Sequence, residues 1–276
     1  MTRTRSSPAS SLRALATSLA KNRRITWELA KREHADRYAG QALGVVWAVI
    51  HPLFLIWLYV FVFKFVFKQN FGGTDELPFD YTVYLLSGLV CWLSTQDALI
   101  RSCSAIVSKS DIVRQVVFPL EILPVKVVLS SLFTLAVSVA VIVGYVAVTF
   151  GRIPIIYLLI PVLVAIQALF LTGVGFVLAV IGVFMRDIKD FVQVFATAGI
   201  YLMPVVYLPN MVPSLFKPLL YLNPFSYLVW CFQDVLFFGR IEHPIAWIVC
   251  LVASVVTLIG GYRLFDRLRP AFGRVI

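Results

Sequence analysis

Long apolar runs separated by short polar segments make up most of this chain, and the strand period of two is absent throughout. Six runs approach or exceed the roughly 20 apolar residues that a helix needs to cross a bilayer: 44–67, 81–100, 125–150, 158–185, 191–208 and 245–265. The pattern predicts an all-α integral membrane protein with six transmembrane helices, in which residues 44–276 form the transmembrane domain. Residues 1–43 are predicted to be a cytoplasmic basic tail with interface helices. In them Leu12, Leu15, Ala16 and Leu19 recur at helical spacing before Lys21, Arg23 and Arg24, the pattern of an amphipathic segment lying on a surface. No apolar run precedes residue 44, so no cleavable signal peptide is expected.

One stretch departs from both the span pattern and the loop pattern. Residues 201–240, YLMPVVYLPNMVPSLFKPLLYLNPFSYLVWCFQDVLFFGR, are too apolar for a surface loop, yet Pro204, Pro209, Pro213, Pro218 and Pro224 interrupt them too often for one straight helix. Two short half-helices fit, forming a re-entrant helical hairpin between spans five and six that caps a translocation route. An amphipathic loop lying flat among lipid headgroups fits the composition equally. In the hairpin reading, the outer gate comprises Tyr207, Pro209, Pro213, Tyr221, Asn223 and Pro224. The prolines set the bends, Asn223 and Pro224 occupy a turn or cap, and the two tyrosines sit at the water boundary.

Composition excludes a soluble globule, because 60% of the residues are hydrophobic and only 14% charged. The net charge of +10 invites a nucleic-acid reading, but the placement of the charge argues against one. With the N-terminus inside, cytoplasmic segments carry 19 of the 24 Lys and Arg, which places both termini in the cytoplasm. The remaining five are Lys64, Lys68, Arg152, Lys217 and Arg240.

Candidate chemistry is sparse. Asp97 lies in the second span with Arg101 one turn on, which predicts a pair along one helix face near the cytoplasmic boundary. His51 stands alone and reads as structural, and no histidine has an acidic neighbour in a catalytic motif. Cys91, Cys103, Cys231 and Cys250 lack metal spacing and read as apolar packers, although Cys231 and Cys250 both fall toward the outer side, where a disulfide is chemically permitted. Gly175, Ala179 and Gly182 provide a small face for close helix packing. There is no GxxxxGK[ST] phosphate loop, so the chain reads as a conduit energised from elsewhere. Between spans two and three, a short cytoplasmic helix with Ile112, Val113, Val116 and Val117 on one face and Asp111, Arg114 and Glu121 on the other is shaped to be gripped by a cytosolic partner.

Five segments together resemble the polysaccharide-export branch of the ABC-2 type ABC-transporter permeases, the family of O-antigen, capsule and teichoic-acid permeases. They are RYAGQALGVVWAVIHPL (37–53), VFPLEILP (117–124), FMRDIKDF (184–191), MPVVYLPNMVP (203–213) and YLNPFSYLV (221–229). The resemblance implies a permease in the cytoplasmic (inner) membrane of a bacterium that exports a lipid-linked glycan through a channel between two copies of itself, surrounded by membrane lipid. Two cytosolic ABC ATPase subunits would drive it and would hold the ATP and Mg, with no cofactor on this chain and no nucleic-acid partner. Under this reading Asp111, Arg114, Glu121, Arg186 and Asp187 contact the ATPase. Tyr59, Trp92, Phe195 and Tyr201 line the channel, where a glycan needs aromatic faces and few charges to slide without being trapped. Residues 1–23 extend beyond what the family leads one to expect. The alternatives are an exporter of a small lipid or drug in the same family, a membrane-embedded glycolipid-modifying enzyme, and an ion-coupled transporter. The enzyme lacks a histidine or carboxylate pair in motif context, and the ion-coupled transporter lacks intramembrane ionisable groups beyond Asp97.

Overall fold

A computed structural model describes residues 8–68, 78–109 and 118–275, and helices are numbered in chain order among those residues. α1 (Pro8–Lys21) and α2 (Arg23–Asp36) precede α3 (Trp47–Val60), which runs on through a π-helical turn, Phe61–Val66. Next come α4 (Tyr81–Ser102), α5 (Ile122–Phe150) and α6 (Ile160–Phe184). The chain ends with α7 (Ile188–Leu202), the short α8 (Lys217–Tyr221), α9 (Pro224–Gln233) with a π-helical continuation Asp234–Phe238, and α10 (Pro244–Val275).

Five helical stretches among the described residues are long and apolar enough to cross a membrane: Trp47–Val66, Tyr81–Ser102, Ile122–Phe150, Ile155–Phe184 and Pro244–Gly273. They coincide with five of the six predicted runs. The sixth, 191–208, is helical only to Leu202, and the 15 residues of α7 span about 22 Å against a hydrocarbon core of about 30 Å. Pro204 is the physical cause, because it disfavours helical backbone in the residue before it, and Met203 is extended at φ −118°, ψ 159°.

α4 is the centre of the bundle: every residue from Tyr81 to Trp92 is buried. In its middle, the Gln167 side-chain amide of α6 donates to the Ser94 hydroxyl at 2.8 Å, the Thr95 hydroxyl at 3.1 Å and the Cys91 carbonyl at 3.3 Å. This ties two helices together where no water competes. α6 and α10 touch backbone to backbone: a Cβ added to Gly261 would lie 2.1 Å from the Gly173 carbonyl oxygen. The predicted small face does similar work, since a Cβ on Gly182 would meet the Cys103 carbonyl at 1.8 Å. All four cysteines are buried and free of disulfides, and the Cys231 thiol donates to the Cys250 sulfur at 3.8 Å.

After α7 the backbone continues through turns and bends beside α4, with Val205 against Gly88, and its carbonyls find buried donors. Tyr84 donates to Pro204 O at 3.2 Å and Tyr207 O at 2.8 Å, Tyr81 donates to Val206 O at 2.9 Å, and Gln233 donates to Pro204 O at 2.6 Å. Broken backbone at membrane depth requires such internal partners. Tyr81 marks one end of α4, yet some 19 residues after Val206 the Phe225 ring packs on Trp92 and Phe170, near the mid-lengths of α4 and α6. From there α9 climbs until Gly239 faces Pro154 and Leu236 O accepts the Tyr157 hydroxyl at 2.8 Å. The chain therefore turns back to the mid-length of α4 and returns to the end of the bundle that it left.

Candidate functional site

α3 and α7 each present an apolar face that the other described residues leave uncovered. α3 buries only Ala48, Pro52 and Ile56, a stripe one residue wide at four-residue spacing. Its exposed side carries an aromatic ladder, Phe54–Trp57–Phe61–Phe65, with successive ring centroids 5.9, 5.6 and 6.4 Å apart. The amphipathic α7 buries Val192, Ala196, Gly199 and Ile200 and exposes Phe191, Val194 and Tyr201.

The predicted lining residues separate on this surface. Tyr201 is exposed, while Tyr59 and Phe195 are half-buried, and Tyr59 lies close enough to Tyr201 to interact electrostatically. Trp92 is only 1% exposed: its indole N–H donates to Ala196 O at 3.0 Å, and Gly199 is pressed against its ring. In this chain Trp92 locks α7 to α4 and lines no surface. The exposed ladder was missed from sequence because an aromatic at a lipid face and one at a channel face have the same hydropathy.

The predicted gate residues sit on the dipping segment. Asn223 is the N-cap of α9, its side-chain oxygen accepting the Phe225 N–H at 3.1 Å, and Pro224 takes the first helical position. Tyr221 packs tilted on Trp230 at 5.4 Å, the Tyr207 hydroxyl donates to Tyr201 O at 3.0 Å, and Pro209 opens a 3₁₀ turn. Pro213 precedes a second such turn and is exposed. One group escaped the sequence reading. Asp234 is fully buried at the end of α9 and accepts from His243 N at 3.1 Å and Trp247 Nε1 at 2.9 Å, with His243 Nδ1 2.7 Å away. A histidine with an acidic partner does therefore exist, nine residues apart, and it pins α9 to α10.

At the opposite, basic end an ion network joins α2, α4 and α5. Asp97 is bridged by Arg37 and lies 3.6 Å from Arg101, as the sequence predicted for that pair. Glu33 holds Lys126 at 2.6 Å and lies 3.9 Å from Arg101. A cleft of about 140 Å³ beside the network is lined by Arg37, His51, Gln96, Asp97 and Thr134, among others. Burial opposes the Glu33 charge, but Lys126 and then Arg101 outweigh it and hold the carboxyl below its ordinary value of 4.5. Burial, aided by Arg37 and Arg101, pushes His34 below its ordinary 6.5.

Both shifts have the same consequence on acidification. A folded-state pKa below the unfolded one means that the unfolded chain takes up protons first, so stability falls as pH drops below 6.5 for His34 and below 4.5 for Glu33. His34 packs on Phe133 at 4.9 Å and Trp27 on the same ring at 5.8 Å. Lowering the pH from about 7.5 to about 5.5 should therefore loosen α2 from α5. Quenching of Trp27 fluorescence by an aqueous quencher, with the other tryptophans replaced by phenylalanine, should rise over that window, and His34→Gln should flatten the response.

Of the predicted coupling residues, Asp111 and Arg114 lie outside the described residues. Arg186 and Asp187 are exposed on the turn between α6 and α7. Glu121 is 6% exposed and engaged within the chain, by Ser18 and Arg269.

Residues 24–237 match the sequence model of a family described as ABC-2 type transporter. This chain belongs to the ABC-2 type transporter family. As a member of it, the chain is similar to an O-antigen export system permease protein, RfbA, of Klebsiella pneumoniae, with 25% identity over 242 residues, 87% of this chain and 90% of that protein. It is also similar to the RfbA protein of the same description from Myxococcus xanthus, with 28% identity over 267 residues, 95% of this chain and 99% of that one. This ABC-2 chain extends past the family match at both ends, by α1 and by α10.

Proposed function

We propose that this chain is the permease subunit of an ABC exporter that moves a lipid-linked cell-envelope glycan outward across the bacterial cytoplasmic membrane, with ATP hydrolysed on separate ATPase subunits. The observation that carries the reading is near-full-length similarity to O-antigen export permeases, in a chain whose α3 is almost unpartnered. Two copies meeting through α3 and α7 would enclose the aromatic ladder, Tyr59 and Tyr201 in a shared, nearly uncharged channel. Both termini and the basic end are assigned to the cytoplasm by the charge asymmetry. α7 together with the turns after it makes a sixth crossing, and α1 and α2 lie at the cytoplasmic interface.

The dip from Tyr207 to Gly239 supports a re-entrant hairpin over a flat loop, because a flat loop would not bring Phe225 to the mid-length of α4. We assign it as the outer gate, closed without cargo and held open by a threaded polymer. Deleting residues 209–217 should raise ion leak through cargo-free proteoliposomes, and the same vesicles made with wild-type protein should stay tight. Tight vesicles in both cases, with normal glycan export in cells, would show that the segment is only a lid.

A further inference from the structure

The segment assigned to coupling leaves and rejoins the bundle through a small apolar core of its own. Val107 before it and Phe118 after it pack against a buried cluster that includes Leu15 of α1 and Phe272 of α10, with Leu19 and Leu268 also at its edge. Glu121 is the polar centre of this core. Its Oε1 accepts the Ser18 hydroxyl at 2.6 Å and its Oε2 accepts the Arg269 guanidinium at 3.2 Å, while the same guanidinium donates to Phe118 O at 3.4 Å. A carboxylate this enclosed is tolerated only when its oxygens are satisfied, and here one partner comes from each end of the chain. Both partners lie in helices beyond the family match.

We propose that Glu121 is a positioning residue that clamps α1 and the last turns of α10 onto the root of the coupling segment, so that the two chain ends brace it. A segment rooted only in a flexible turn would yield when an ATPase subunit pushes on it. A root bonded to α1 and α10 and continuous with α5 passes the displacement into the membrane helices. The brace role rests on the export reading above; the clamp does not.

The test uses the full-length chain in lipid nanodiscs. Glu121→Gln and Arg269→Gln should speed amide exchange over residues 13–21 and 262–273 by about tenfold or more, the loss expected when a charge-assisted hydrogen bond is removed. The swapped pair Glu121→Arg with Arg269→Glu should restore protection. Ser18→Ala, which frees α1 alone, supplies a milder variant should the others fold poorly. Unchanged protection of α1 in Ser18→Ala and Glu121→Gln would overturn the clamp. With the ATPase subunits co-expressed, glycan exported per ATP hydrolysed should fall about tenfold in Glu121→Gln and recover in the swap. Unchanged yield with freed ends would overturn the brace. Failure of the wild-type complex to move glycan would count against the export reading alone, because the exchange measurement needs neither ATPase nor glycan.

Discussion

Glu33→Ala is expected to destabilise this protein by about 3–5 kcal/mol, the penalty for leaving one member of a buried ion pair without its partner. Lys126 is the reason: it is 2% exposed and its ammonium is bonded to Glu33 at 2.6 Å. Without Glu33 that charge is stranded at the foot of α5, with Arg101 and Arg37 on the neighbouring elements adding repulsion. Adding Lys126→Met to Glu33→Ala should recover most of the loss, since removing both charges is far cheaper than removing one. Thermal unfolding in detergent, followed by intrinsic fluorescence, reads both steps. A single variant that melts with the wild type would show that water reaches Lys126 and that the network contributes little.

Adjacent glycines in α10 should respond to the same substitution with opposite signs. Gly261→Ala would place a methyl 2.1 Å from the Gly173 carbonyl oxygen, a clash of backbone against backbone that no rotamer relieves. Prising α10 from α6 should cost about 1–3 kcal/mol or more. A Cβ on Gly260 meets nothing within 4 Å, so Gly260→Ala should gain up to about 1 kcal/mol through helix propensity alone. Melting temperatures of the two variants decide the matter. Equal shifts would mean that α6 and α10 do not cross in backbone contact at Gly173 and Gly261.

Hydropathy is a local property, and what it governs was legible in the chain. The five long helices lie where apolar runs lie because a backbone in lipid must satisfy its hydrogen bonds within its own segment. The run 191–208 was predicted to be a full span, although Pro204 inside it stops α7 at Leu202; the turn or cap predicted at Asn223 and Pro224 is the N-cap of α9. The Asp97–Arg101 pair was readable because one helical turn separates the two residues. Other features depend on partners that no sequence window contains. Glu121, predicted to contact a partner, meets Ser18 across 103 positions and Arg269 across 148. Tyr84 satisfies carbonyls 120 and 123 residues away, and Trp92 is sealed by Gly199 while Phe54 and Trp57 are left bare. An aromatic run specifies that a helix is apolar, but which side meets protein is decided only when α4 has collected its neighbours. Buried polar groups bond to whatever donor packing brings within about 3 Å, and that distance is a property of the assembled helices.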